Sequence, residues 1–194
     1  PVRAVRLEAA RPRAPLVRHQ PPEAARARLD AALEAYDAAQ LVNAERPESH
    51  LNIGLAKMAQ GKAAAAQKAY RTALRLDPAF VPAYVNLADL YRALGSDAEG
   101  GETLRAGLAV APDSSDLHHA LGLLAIRAKR LDEAVTELGR ADELAPENPR
   151  YAYVHALVLN ETGDAAGALR VLADAHRRHP ADVDLLVTLI TINR

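Results

Sequence analysis

The chain of 194 residues contains no cysteine, no tryptophan and a single phenylalanine, and aromatic residues make up only 4% of it. Lack of cysteine excludes disulfides, a thiol nucleophile, thiolate metal sites and covalent haem attachment within this sequence. Lack of bulky aromatics leaves alanine and leucine to fill the core; both favour helices, and small side chains let helices approach closely. The formal net charge is −1, so the molecule as a whole has no field that draws in nucleic acid or an anionic membrane surface. Apolar runs are short: "VDLLVTLITI", residues 183–192, falls well below the roughly 18 residues needed to span a bilayer, and membrane insertion is not expected. What is present is a chain 49% hydrophobic and 25% charged, able to bury a core and long enough for one domain or two small ones. An all-α fold is expected. The sequence opens at Pro1 without methionine or a signal peptide, which reads as a fragment or a processed product.

Pro78, Pro112, Pro146 and Pro180 recur every 34 residues, a period that means stacked supersecondary units. Other positions keep the same phase. One small row runs Gly54, Ala88, Gly122, Ala156; a second runs Ala66, Gly100, Ala134, Ala168; a third runs Ala73, Gly107, Ala141, Ala175. Between the last two lies a bulky row of Tyr70, Leu104, Leu138 and Leu172. Small residues belong where two helices cross, the bulky one plugs the gap between units, and proline after the second helix turns the chain out of the α region. Glycines in "QGK" (60–62), "LGSD" (94–97) and "TGD" (162–164) stand where a left-handed helix terminator belongs. "KRLDE" (129–133) lacks that glycine, so its turn is expected to close differently. Asn148 and Pro149 read as an N-cap and first helical position, and the Asp and Ser residues of 113–116 offer caps one unit earlier.

This combination of small, bulky and proline positions resembles the tetratricopeptide repeat family, over roughly residues 23–194. The resemblance implies a right-handed α-α superhelix of helix-turn-helix units. In that frame residues 21–194 form the repeat domain, with complete units at 47–80, 81–114, 115–148 and 149–182. Stepping back one period from Ala66, Tyr70 and Ala73 gives Ala32, Tyr36 and Ala39, the second helix of a half unit at 23–46, and residues 183–194 supply the first helix of a fifth. Both ends of the array are open, so the apolar 183–194 helix is expected to pair with further sequence or with another chain; self-association through the ends is one outcome.

Residues 1–20 differ in character, with five arginines against one glutamate. No aromatic platform accompanies the arginines, and a nucleic-acid tail is disfavoured. "PVRAVRLEAAR" resembles one helix of a HEAT-like repeat, the remnant of a preceding helical region. Together with phrases such as "FVPAYVNLADLYR" it is similar to the C-terminal part of bacterial proteins that join multihaem cytochrome c modules, HEAT-like repeats and tetratricopeptide repeats. That kinship implies a periplasmic location and redox chemistry elsewhere in the parent chain; without it the cytoplasm is the expectation. No cofactor is expected in these residues.

In the family the first helices line a concave groove, to which the second, fifth, sixth, ninth, twelfth and thirteenth positions of each unit contribute. Asn52 and Asn86 share the sixth position, where an amide can both donate to and accept from a peptide backbone. Family members with a long asparagine ladder, such as the protein O-linked glucosaminyl transferases, use it so; here the row breaks at Ala120 and Val154. Asn86 is otherwise a polar filler on a solvated face. The remaining groove candidates are Asp89, Arg92, His119, Arg127, Tyr153 and Asn160, with Leu51, Leu55, Met58, Leu123 and Leu157 as apolar contacts. Arg92 and Arg127 have the forked donors that hold a carboxylate, or are simply solvated. The places that grip a C-terminal carboxylate in the chaperone-binding branch hold Leu51, Leu55, Asn86, Asp116 and Ala120. One asparagine alone matches, which disfavours a chaperone-tail receptor.

Catalytic signatures are missing. "GLAKMAQGKA" (54–63) spaces its glycines too widely for a phosphate loop, and Ala63 replaces the hydroxyl that holds magnesium. His118, His119 and His155 occupy the fourth, fifth and seventh positions and are expected to face different ways. His118 is expected in the slot of Tyr84, and His155 in place of a core leucine. The second helix of the 81–114 unit, with Gly100, Gly101 and Gly107, is expected to be the softest joint. The leading expectation is a non-enzymatic scaffold that binds a protein or peptide segment in the groove. The rival is a structural or self-association module of a larger redox protein.

Overall fold

The computed structural model describes residues 23–193, and these residues form ten helices and no strand. The HEAT-like remnant expected at residues 1–20 lies outside them. The chain divides between Ala38 and Ala39 into two bodies. Helix α1 (Glu23–Leu41) spans residues where a half unit is expected. Its Ala32 and Tyr36 are exposed.

From Ala39 onward the chain is a stack of helical hairpins. The first helices of the units are α2 (Pro47–Ala59), α4 (Val81–Ala93), α6 (Ser115–Arg127) and α8 (Pro149–Glu161). Their partners are α3 (Ala63–Leu76), α5 (Asp97–Val110), α7 (Leu131–Leu144) and α9 (Ala165–Arg178), and α10 (Val183–Ile192) opens a fifth unit. Each first helix packs on its own partner, and each partner packs on the next first helix. Caps fall where the sequence offers them: Asn148 Oδ1 accepts from Arg150 N at 3.2 Å and Ser114 Oγ from Leu117 N at 3.4 Å. Asp164 and Asp182 cap α9 and α10 in the same way.

The recurring rows are the core. Tyr70, Leu104, Leu138 and Leu172 are fully buried, as are Ala66, Ala134 and Ala168. The first small row admits the bulky one by size: a Cβ on Gly54 would lie 2.2 Å from the Tyr70 ring, and one on Gly122 would lie 2.6 Å from Leu138 Cγ. Where the small residue is alanine, at Ala88 and Ala156, it clusters with the smaller leucine plugs Leu104 and Leu172. The row then fails: its fifth member is Ile190, half exposed on α10 together with Val183, Leu186 and Val187. A second helix seated as in the earlier units would meet a branched side chain there.

A polar row ties the units together. His50, Tyr84 and His118 occupy the fourth position, and each reaches the carbonyl six residues back, at Ala44, Pro78 and Pro112, at 2.9 Å. His118 thus fills the slot of Tyr84, as the repeat frame requires, and its Nδ1 also meets Glu137 at 2.7 Å. Ala152 cannot continue the row, and the next carbonyl, Pro146 O, is bonded instead by His179 Nε2 at 3.1 Å. The carbonyl that ends each unit thus finds a donor from another residue when the usual position is lost.

The turn without glycine closes like the others, contrary to the sequence expectation. At Gly61, Gly95 and Gly163 φ is 73°, 76° and 91°, and Lys129 takes φ 57° in the same place. All four turns make the same pair of backbone bonds; Lys129 N donates to Ile126 O and Arg130 N to Ala125 O, as Gly61 N does to Met58 O and Lys62 N to Lys57 O. The hydrogen-bond pattern overrides the side chain's aversion to the left-handed region. Lys129→Gly is therefore expected to raise stability by about 1 kcal/mol in chemical denaturation; an unchanged midpoint contradicts the strain assigned to this turn.

Candidate functional site: a recess in the row of first helices

The first helices touch directly from α2 to α4, from α4 to α6 and from α8 to α10, and pack less closely between α6 and α8. The third position explains the opening: Ser49, Ala83 and Leu117 are followed by Tyr151, the largest side chain of the row. Tyr151 is buried between the helices, and its hydroxyl donates to Asp116 Oδ1 at 2.5 Å. Its ring stacks on His119, with centroids 4.6 Å apart and planes tilted by 34°.

Over this pair lies a cavity of about 300 Å³, walled by Val85 and Asp89 of α4, Asp116, Leu123 and Arg127 of α6, and Arg150 of α8. Its charges are unequally compensated. Asp89 pairs with Arg92 at 3.0 Å on its own helix, and Arg127 reaches back to Asp97 of α5 at 3.3 Å. The Arg150 guanidinium has neither a hydrogen-bond nor an ion-pair partner among the described residues, and it lies close enough to His119 to act on its charge. His119 is buried, and its Nδ1 has no hydrogen-bond partner. Burial first, then the positive charge of Arg150, lowers its pKa to about 4 against the opposing pull of Asp116. At neutral pH the ring is an uncharged polar surface. Burial and the bond to Asp116 push the Tyr151 hydroxyl up to about 12, so it remains a donor.

The structure brings three of the sequence candidates, Asp89, His119 and Arg127, to this recess. His119 forms part of its stacked floor rather than projecting freely. Asn52 is half-buried and donates to Gln40 Oε1 at 3.1 Å; Asn86 donates to Pro82 O of its own helix at 2.8 Å. Arg92 is engaged by Asp89 as described. Tyr153 stands one step along, in a separate hollow with Pro149, Arg150 and Asp184, and Asn160 is exposed near the end of α8. Sequence reasoning missed Arg150 and Tyr151. Arg150 was findable, since it holds the second position of its unit, which belongs to the groove set. Tyr151 carried a weaker signal, an aromatic in a row of smaller residues.

Two histidines expected to point apart, His118 and His155, line one hollow on another side of α6 and α8. His155 is half-buried in the row of Leu87 and Leu121, held by Asp142 at 3.3 Å, with room for its ring left by Gly139. Among the described residues no group of three His, Cys, Asp or Glu side chains is placed to hold a metal ion, and no helix is long and apolar enough to cross a membrane.

Stacked hairpins locked by matching small and bulky rows, with first helices side by side along a groove, define a helical-repeat protein. The family model described as tetratricopeptide repeat matches residues 57–124 and 101–158. The chain belongs to the tetratricopeptide repeat family. In fold it is similar to the TPR protein TTC0263 of Thermus thermophilus, with a TM-score of 0.65, 24% identity, and coverage of 87% of this chain and 92% of that one. It is similar also to YrrB, with a TM-score of 0.61, 21% identity and 82% of each chain covered. A third neighbour is MamA (41 to the end) of Desulfovibrio magneticus RS-1, with a TM-score of 0.61, 18% identity and coverage of 79% of this chain and 87% of that one. No curated protein matches the chain in sequence. The family match covers the repeat alone and carries nothing on the haem-binding modules that the wider resemblance implied.

Proposed function

We propose that the protein is a non-enzymatic scaffold whose groove of first helices holds a segment of another protein, seated at the recess between α4, α6 and α8. The observation that carries this reading is the unpaired Arg150 guanidinium at a cavity floored by the buried His119–Tyr151 stack. An apolar wall of Val85, Leu123 and Leu124 with charged groups at its edge suits a peptide that brings both greasy and charged side chains. One structural neighbour, YrrB, is described as a TPR protein with an unusual peptide-binding site, which supports such a use of this fold. Asn52 and Asn86 each spend one amide N–H on their present bonds, which leaves the second N–H and the carbonyl oxygen for a peptide backbone.

The test is a peptide-display selection against the folded chain, followed by titration of the selected peptides. Arg150→Glu is expected to weaken them by at least about fivefold, while Arg178→Glu on the second helix α9 leaves them unchanged. Peptides that bind both variants as tightly as the wild type would remove the recess from the proposal.

A second reading has its own support. The half-exposed apolar stripe of Val183, Leu186, Val187 and Ile190 on α10 is a face that a further helix of the chain or a second chain would cover, and cover by a second chain is what an accessory or self-association module would use. Sedimentation of the wild type and of Ile190→Asp separates the two readings, since only end-to-end assembly is lost in that variant.

A further inference from the structure

A second recess, at the edge of the same row of helices, is built unlike its counterpart one unit earlier. There Arg127 of α6 meets Asp97 of α5 at 3.3 Å beside the turn. One unit on, the same two places hold Glu161 and Leu131, which form no ion pair, and a cavity of about 530 Å³ stays open. Its walls are aliphatic: Ile126, Leu131, Val154 and Leu157, over a buried Val158. Lys129 and Glu161 stand at its rim, and neither has an ion-pair partner among the described residues.

The rim lysine is the residue that takes φ 57° where the other three turns have glycine. A non-glycine residue in that backbone conformation beside a cavity is an outlier that makes its side chain a candidate for function. The sixth position tells the same story from the other wall: Asn52 and Asn86 give way to Ala120 and Val154, so the groove changes from polar to aliphatic as it reaches this recess.

We propose that this recess anchors one bulky aliphatic side chain of the segment held in the groove, with a carboxylate next to it in that segment paired to Lys129 and a cation on its other side paired to Glu161. The inference rests on the groove reading above and adds the chemistry of the segment. The aliphatic walls offer apolar burial without a polar partner, and the two rim charges of opposite sign set the order of the flanking groups.

The probe is glutamyl-leucyl-lysine blocked at both ends, followed by methyl NMR of the folded chain. Saturating shifts are expected at the methyls of Ile126, Val154 and Leu157. Alanine in place of the leucine is expected to weaken binding by more than about tenfold, and glutamine in place of the glutamate by about threefold. Lys129→Gly is the variant that separates use from structure: it raises the unfolding midpoint and lowers affinity for the probe by about threefold. An unchanged affinity in Lys129→Gly, or shifts confined to the neighbourhood of His119 and Tyr151, overturns the anchor while leaving the groove intact. Loss of the groove itself is read separately, by indifference of display-selected peptides to Arg150→Glu.

Discussion

Gly54→Ala unfolds more easily than the wild type by about 1–3 kcal/mol, although glycine to alanine within a helix ordinarily gains about 1 kcal/mol. The new methyl would sit 2.2 Å from a Tyr70 ring carbon, so the ring must shift, and Tyr70 is 1% exposed. Tyr70→Leu alone also destabilises, because the space left by the ring is only partly refilled. Joined, the two substitutions recreate the alanine–leucine pairing that already stands at Ala88 with Leu104 and at Ala156 with Leu172. The double variant is expected to be more stable than the sum of the single changes predicts, by about 1–2 kcal/mol of favourable coupling in a denaturant cycle. Strict additivity would show that the two rows do not interlock as described.

Lowering the pH from 6.5 to 4 weakens the fold through His119. Its pKa falls from 6.5 to about 4 in the folded protein, so in this window the unfolded chain binds a proton that the native ring refuses. Stability therefore rises with pH across the window and is lost as pH falls toward 4, with a slope below about 1.4 kcal/mol per pH unit, reduced by the solvent screening that the ring retains. Below the folded value both states are protonated and this contribution levels off. Melting temperatures measured across the window should show a flatter profile for His119→Phe, which keeps the stack on Tyr151 without a titrating group. Equal slopes for the two proteins would assign the acid sensitivity to other groups. A carboxylate bound near Arg150 would offset the positive charge there and raise the His119 pKa, so the same titration reports on groove occupancy.

Much of the architecture was legible in the sequence because it repeats. A 34-residue spacing of prolines, rows of small residues and one row of plugs can satisfy each other in few ways, and the helix limits, caps and buried rows follow from them. His118 in the slot of Tyr84 is of the same kind: a shared position in the period gave a shared carbonyl to bond. Lys129 was less legible. Propensity alone argues against a lysine at φ 57°, and the turn forms because two backbone bonds outweigh that aversion.

The candidate site was legible only as positions. The family resemblance implied that Asp89, His119 and Arg127 face the inner wall, yet it could not rank them, since a position says nothing of which neighbour already holds a charge. Arg92 is paired with Asp89 and Asn86 spends one N–H on its own helix, whereas Arg150 is left without a partner among the described residues. That difference depends on side chains from adjacent helices meeting within a few ångströms.

The amino-acid order by itself determined the all-helical class, the period and the identity of the buried rows from Gly54 onward, because local propensity and a repeated pattern of sizes are properties of the chain. Only the tertiary structure decided where the row of first helices opens, since that depends on Tyr151 wedging between α6 and α8. It decided also that Arg127 pairs with Asp97 beside one turn while Glu161 lines an open cavity beside the next. Spacing along a sequence records which residues share a face; which of them are already satisfied is settled by packing between units.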